Sequence, residues 1–268
     1  MRRRLWAPIA LIASLTWSAA QAHEFWIEPQ TYQIAPNNPL VADIKVGDRL
    51  EGVGFGFVPA NFRRFDVVVG DQILPVSGRM GDRPALNMTV NATGLAQVVH
   101  VTRDYTLTYK DRATFERFCA HKAIEWACAA HDTRGLDPDV VRERYTRYGK
   151  SLVALGDGLG QDQPLGLRTE ITAGANPYTD DLSDGLPLQV TFEGAPRAGA
   201  QVELFEKAPD GTVEVRLYTT DPEGRVLVDV KPGHSYLADA VKMLELDPDG
   251  DGPAWHSLWA SLTFALPD

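Results

Sequence analysis

The chain has 268 residues, with 26 Lys and Arg against 36 Asp and Glu and a formal net charge of −10. That acidity argues against nucleic acid and anionic membrane surfaces as partners and suits cationic ligands. The length allows one large or two ordinary domains with real cores, and beyond residue 22 no apolar stretch approaches the roughly 18 residues of a membrane-spanning helix.

The chain opens on Arg2-Arg3-Arg4, an apolar run from Leu5 to Trp17, and Ala19-Ala20-Gln21-Ala22. A positive start, a short apolar core and a small-x-small ending define a secretory signal over residues 1–22. The expected destination is the periplasm of a Gram-negative cell, and the processed protein is expected not to span a membrane. Cleavage after Ala22 makes the chain more acidic and leaves His23 first, followed by Glu24-Phe25-Trp26-Ile27-Glu28-Pro29. A free α-amine next to an imidazole can chelate a transition metal, as an internal histidine cannot. The ordinary alternative is that His23 merely precedes a strand begun by Phe25, Trp26 and Ile27.

Residues 23–110 read as β. Short apolar alternations are punctuated by Pro36, Pro39 and Gly47, and Gly70-Asp71 reads as a hairpin turn. Gly52, Gly54 and Gly56 alternate with Val53, Phe55 and Phe57, which predicts a strand against which another backbone packs closely. Residues 111–155 read as a helical insertion. Helical spacing covers Thr114 to Cys128, and Asp137-Pro138 is expected to cap a second, basic helix whose Arg142, Arg144, Arg147 and Lys150 form a solvated face or pair with the chain's own carboxylates. Residues 156–164 are a Gly-rich linker, and strands return over 165–268. The expected fold is mainly β: two β-sandwich domains of immunoglobulin or prealbumin type with a short helical insertion between them.

Cys119 and Cys128 are the only cysteines. In an exported chain they predict a disulfide. A straight helix would hold them roughly 13 Å apart, so the expectation requires a helix break between them; otherwise both thiols stay free. A Cys/His metal set with His121 and His131 matches no common zinc spacing.

The segments Gly194-Ala-Pro-Arg-Ala-Gly-Ala-Gln-Val, Thr219-Thr-Asp-Pro-Glu-Gly and Pro232-Gly-His-Ser-Tyr236 resemble a transthyretin-like or Cna-B-like sandwich. Together with the His23-Glu-Phe-Trp start, the stretch Arg142 to Val153 and the Trp259 to Phe264 end, the mature chain resembles the DUF4198 family. That resemblance implies an exported protein associated with nickel or cobalt uptake, and of the candidate ligands it singles out His23 alone.

Gly-x-Ser-x-Gly, His-Glu-x-x-His and a phosphate loop are all absent, so no enzyme is expected. Asp247-Pro-Asp-Gly-Asp-Gly252 opens like a calcium loop but has Leu258 where the bidentate Glu belongs, and it reads as an exposed hairpin loop. The expected function is a periplasmic binding protein for a divalent transition metal ion (Ni, Co, Cu or Zn), with His23 as anchor and His100 and His256 as its partners. It would deliver the metal to an envelope transporter or an outer-membrane receptor. The alternative is a non-catalytic structural or protein-interaction module of the envelope.

Overall fold

The computed structural model describes residues 23–268, and the expected signal sequence lies outside them. In chain order, the first part has β1 (Glu24–Pro29), β2 (Gln33–Ile34), β3 (Pro39–Asp48), β4 (Glu51–Phe55), β5 (Phe62–Val69), β6 (Gln72–Pro75), β7 (Leu86–Thr89), β8 (Gly94–Thr102) and β9 (Tyr105–Thr108). Two helices follow, α1 (Arg112–His121) and α2 (Trp126–Thr133), and then the long β10 (Arg142–Leu155). The last part has β11 (Thr169–Ala173), β12 (Leu186–Phe192), β13 (Ala195–Pro196), β14 (Gln201–Lys207), β15 (Val213–Thr219), β16 (Arg225–Val228), β17 (Ser235–Glu245) and β18 (Trp255–Ala265). The chain is thus mainly β with one short helical segment. None of its described helices is long and apolar enough to cross a membrane.

A ten-stranded sheet runs β15-β14-β17-β18-β10-β8-β5-β6, with β2 and β9 also pairing to β10. One four-stranded sheet (β1-β3-β4, with β7 on β3) and another (β11-β12-β13, with β16 on β12) complete the β structure. Strand alternation sends successive side chains to opposite faces, and each small sheet covers a different face of the large one. Val67, Val69, Ala96, Val98 and Val153 pack with Phe25, Ile27 and Leu40 in one core. Leu152, Tyr236, Ala238 and Leu262 pack with Ile171, Leu188 and Val190 in the other. Neighbours Leu152 and Val153 therefore serve two different cores. The large sheet crosses the expected linker: β10 pairs antiparallel with β8 and parallel with β18.

The second expected helix is corrected. Residues 142–155 form the central strand of the large sheet. Tyr145, Thr146, Tyr148 and Val153 favour a pleated surface, and Gly149 weakens a helix interior. Gly149 is required by packing, since a Cβ there would lie 2.7 Å from Phe25 Cε1. Of the basic residues, Lys150 is fully buried and pairs with Asp162 and Glu170, Arg142 pairs with Asp251 as the carboxylate alternative expects, and Arg147 lines a cavity. Asp137 makes a local turn, accepting from the Asp139 N–H at 2.9 Å, rather than capping a helix. The glycine alternation in β4 does mark a close approach, for a Cβ on Gly52 would meet Val46 O at 2.5 Å and Trp26 at 2.8 Å.

The helix break expected between the cysteines is present. Lys122 closes α1, Ala123 has φ +51°, and α2 doubles back so that Arg112 donates to Cys128 O at 3.0 Å. The expected disulfide is not formed in this structure, where Cys119 and Cys128 are free thiols. They are hydrogen-bond neighbours, and burial pushes both thiols up. We propose that an oxidising compartment closes the pair, two thiols giving one disulfide and two hydrogens passing to the oxidant. Protein taken from that compartment should then take up no alkylating agent before reduction and two equivalents after it. Two alkylated thiols in the unreduced protein would overturn this. The Cys/His metal set does not form around His131, whose Nδ1 accepts from Trp255 Nε1 at 3.0 Å while Nε2 lies 2.9 Å from Asp137 O.

Candidate metal centre and the adjoining cavity

β1 divides its side chains between two environments. Phe25 and Ile27 enter the first core, whereas Trp26 packs against Phe205 and Leu237 of β14 and β17. Glu24, on the same side as Trp26, reaches the first residue after α1. Lys122 Nζ lies 3.1 Å from Glu24 Oε1, 2.9 Å from Glu203 Oε1 and 3.2 Å from Asp239 Oδ2, all four side chains being buried. It also sits 4.9 Å from the centre of the Trp259 ring. One ammonium thus faces three carboxylates brought from β1, β14 and β17.

His121 completes the group. Its Nε2 lies 3.3 Å from Glu203 Oε2, and its side chain is 61% exposed. Gln201 Nε2 fixes the end of α1 by donating to His121 O at 2.7 Å. Donor atoms of Glu24, His121 and Glu203 all lie within 4.8 Å of one another. Glu24 Oε2 and Asp239 Oδ1 are buried without a hydrogen-bond partner among the described residues, and Glu203 Oε2 has only the His121 ring beside it, a costly state for carboxylate oxygens.

The electrostatics follow from burial against one cation. Burial raises Asp239 to about 7 despite the pull of Lys122, and raises Glu24 in the same way. Burial also works on Glu203, but the His121 hydrogen bond and the Lys122 charge outweigh it and hold that carboxyl low. Lys122 feels a desolvation penalty that its three acids overcome, so it stays charged. The Glu203 hydrogen bond raises His121 above the usual imidazole range.

His23 and His100 line one cavity of about 580 Å³, on the other side of β1 from Glu24, together with Phe25, Glu143, Arg147 and Trp259. The structure therefore brings two of the three expected metal histidines to one space. His256 is not among them. Trp255 and Trp259 of β18 pack on the helical side of the sheet, so His256 between them faces the opposite side, where its Nε2 lies 2.8 Å from Thr146 Oγ1. Burial lowers His256 to about 4 and His100 to about 3, so both rings stay neutral. The Asp247–Asp251 acids lie in the hairpin loop between β17 and β18, and the Asp251 side chain is 97% exposed.

Sequence reading passed over Glu24's partners. Glu203 in Val-Glu-Leu and Asp239 in Leu-Ala-Asp-Ala-Val are single acids inside apolar strands. Charged residues are seldom fully buried unless paired, so an acid on the inward face of a strand was the available signal. Nothing local marked Lys122.

Taken together, fold and site define a mainly β sandwich protein with one unsaturated acidic group and one aromatic cavity. The chain belongs to the family described as "Domain of unknown function (DUF4198)", which matches residues 20–243. No curated protein matches it. Among solved structures it is similar to the tetra-tandem repeat in the extending region of a large adhesion protein, at 12% identity and a TM-score of 0.21, covering 91% of this chain and 49% of that one. This chain thus spans about half the length of that structure. It is also similar to the D0-D1 domain of Intimin, at 10% identity and a TM-score of 0.23, covering 89% of this chain and 97% of that one. Likenesses this distant say nothing about what the chain binds.

Proposed function

We propose that the mature protein is a non-catalytic, periplasmic binding protein that takes up a divalent transition metal ion, of the nickel or cobalt kind, and hands it to an envelope transporter. The observation that carries this reading is the set of Glu24, His121 and Glu203 donors within 4.8 Å, two of them buried carboxylates with an oxygen to spare. Lys122 engages the Oε1 atoms, leaving Glu24 Oε2 free and Glu203 Oε2 turned to the His121 ring, where an ion would take the place of the His121 proton. Bonds to imidazole and carboxylate of about 2.0–2.2 Å require donors no more than about 4.4 Å apart. Three donors cannot all stand opposite one another across an ion, so the group must close to separations of about 3–3.6 Å, and exposed His121 is the member free to move. One imidazole and two carboxylates suit a borderline ion. The ring of His23 lies in the cavity on the other side of β1 and reaches the ion only by turning across the strand; its α-amine is a further donor if processing exposes it.

Calorimetry of mature protein with Ni, Co, Cu and Zn should show micromolar or tighter binding for at least one. His121→Ala and Glu203→Gln should each weaken it at least about tenfold, equivalent to about 1.4 kcal/mol. If His23 also reaches the ion, His23→Ala and a retained initiator Met weaken it too. Binding should fall with falling pH. His121 is held protonated by Glu203 up to an unusually high pH, so the metal must displace that proton. Equal affinity in wild type, His121→Ala and Glu203→Gln would refute this site.

A further inference from the structure

The cavity beside the acidic group has a chemistry of its own. Its volume, about 580 Å³, is that of a pocket for a small organic molecule. Its walls come from β1, β3 and β4 on one side and from β8, β9, β10 and β18 on the other. Phe55, 47% exposed, stands at its mouth.

Three nitrogens of residues lining this space are buried without partners. The Arg147 guanidinium carbon lies 5.0 Å from the centre of the Tyr145 ring and 5.9 Å from that of Phe25. Its Nη2 donates to His23 O at 3.1 Å, which fixes the plane of the fork. Its Nε is buried with no acceptor, and among the described residues no carboxylate lies within ion-pair distance of this arginine. His100 Nδ1 is buried and unpartnered too, in a ring packed among Phe25, Phe62 and Phe65 at 5.0–5.4 Å. The third is His23 Nδ1. Asp239, Glu24 and Glu143 act on this guanidinium only from beyond ion-pair distance, so its desolvation is incompletely offset.

The one acid in the wall attracts Arg147 from a distance, but its oxygens are already engaged. Glu143 is saturated: Tyr109 Oη donates to Oε2 and Ser257 Oγ to Oε1, and Trp259 Nε1 donates to that same Ser257 oxygen at 2.8 Å. The polar groups of the wall thus include two guanidiniums, Arg147 and Arg83, and two imidazoles, ringed by aromatic surface.

We propose that this cavity binds a small organic carboxylate with an aromatic body, its carboxylate on Arg147 with His100 and His23 beside it. A carboxylate matches the donor geometry of a guanidinium. The ring fills the space between Phe25, Phe62 and Trp259. An inorganic anion satisfies the charge but leaves most of the volume empty. The site shares only His23 with the metal reading and uses none of Glu24, His121 or Glu203, so Arg147 rather than His23 is the residue varied in its test.

The test is calorimetry of the full mature chain with benzoate and phenylacetate, in chelator throughout, with benzamide and inorganic phosphate as comparisons. Wild type should bind at least one of the two carboxylates, and benzamide and phosphate at least tenfold more weakly. Arg147→Met should lose the preference for carboxylate over amide, while Glu203→Gln keeps it. The amide comparison changes only the ligand, so it holds even if Arg147→Met folds poorly. No binding of either carboxylate at millimolar concentration, or equal binding of benzoate and benzamide to wild type, would overturn the proposal. So would carboxylate binding that vanishes in chelator, since the ligand would then be held through a metal.

Discussion

Lys122→Met is expected to destabilise the protein by about 3–5 kcal/mol, the cost of breaking a buried ion group by removing one partner. Methionine keeps most of the volume and the contact with Trp259 but leaves Glu24, Glu203 and Asp239 buried with no cation between them. Urea unfolding at neutral pH measures the loss. A divalent ion that binds Glu24, His121 and Glu203 should restore part of it, since a ligand of the folded state alone stabilises by mass action. The variant should therefore gain more from nickel or cobalt than wild type does. The group also sets a pH dependence. Asp239 is raised by burial to about 7, so its folded state holds a proton that the unfolded chain has released above about pH 4. That contribution is fully present below the unfolded pKa and is lost as pH rises through about 7. Acidic pH should then ease the Lys122→Met defect.

Lys150→Met is expected to cost a similar amount, about 3–5 kcal/mol, with no rescue by metal. Lys150 Nζ lies 2.9 Å from Asp162 Oδ1 and 3.1 Å from Glu170 Oε1, all buried. Here every acid oxygen has a donor. Gln97 Nε2 donates to Asp162 Oδ1, the Ala173 N–H reaches Asp162 Oδ2 at 2.7 Å, and the Leu165 and Leu167 N–H groups reach Glu170 at 2.8 and 3.2 Å. Two buried lysine–carboxylate groups thus differ in one respect. The Lys150 group is saturated and ties β10 to the segment leading into β11, whereas the Lys122 group keeps unpartnered oxygens beside an exposed imidazole. A metal that stabilised Lys150→Met as much as Lys122→Met would show that the contrast has no functional meaning.

The strands were legible because their alternation is local. Phe65 to Val69 and Leu95 to Val101 carry apolar residues that only a pleated, buried strand accommodates. β10 was misread because Arg142 to Lys150 has charges that also fit a helix face. What decides for a strand is the partners on either side, β8 and β18, which are distant in sequence. The same distance hid the acidic group. His23 stood out by its position next to an expected cleavage site, yet the residues that meet across β1, β14, β17 and the end of α1 are separated by up to 215 positions, from Glu24 to Asp239. His256 looked equivalent to His100 on paper, and the pleat of β18 turned it to the other face.

Glu24, His121 and Glu203 are the proposed ligands of a transition metal. Crystals of the mature protein grown with cobalt or nickel, measured on both sides of the metal's absorption edge, locate the ion directly. The expected result is one anomalous peak within bonding distance of His121 Nε2 and of a carboxylate oxygen from each of Glu24 and Glu203, with Lys122 still on Asp239. A peak elsewhere, or none at saturating metal, would contradict it.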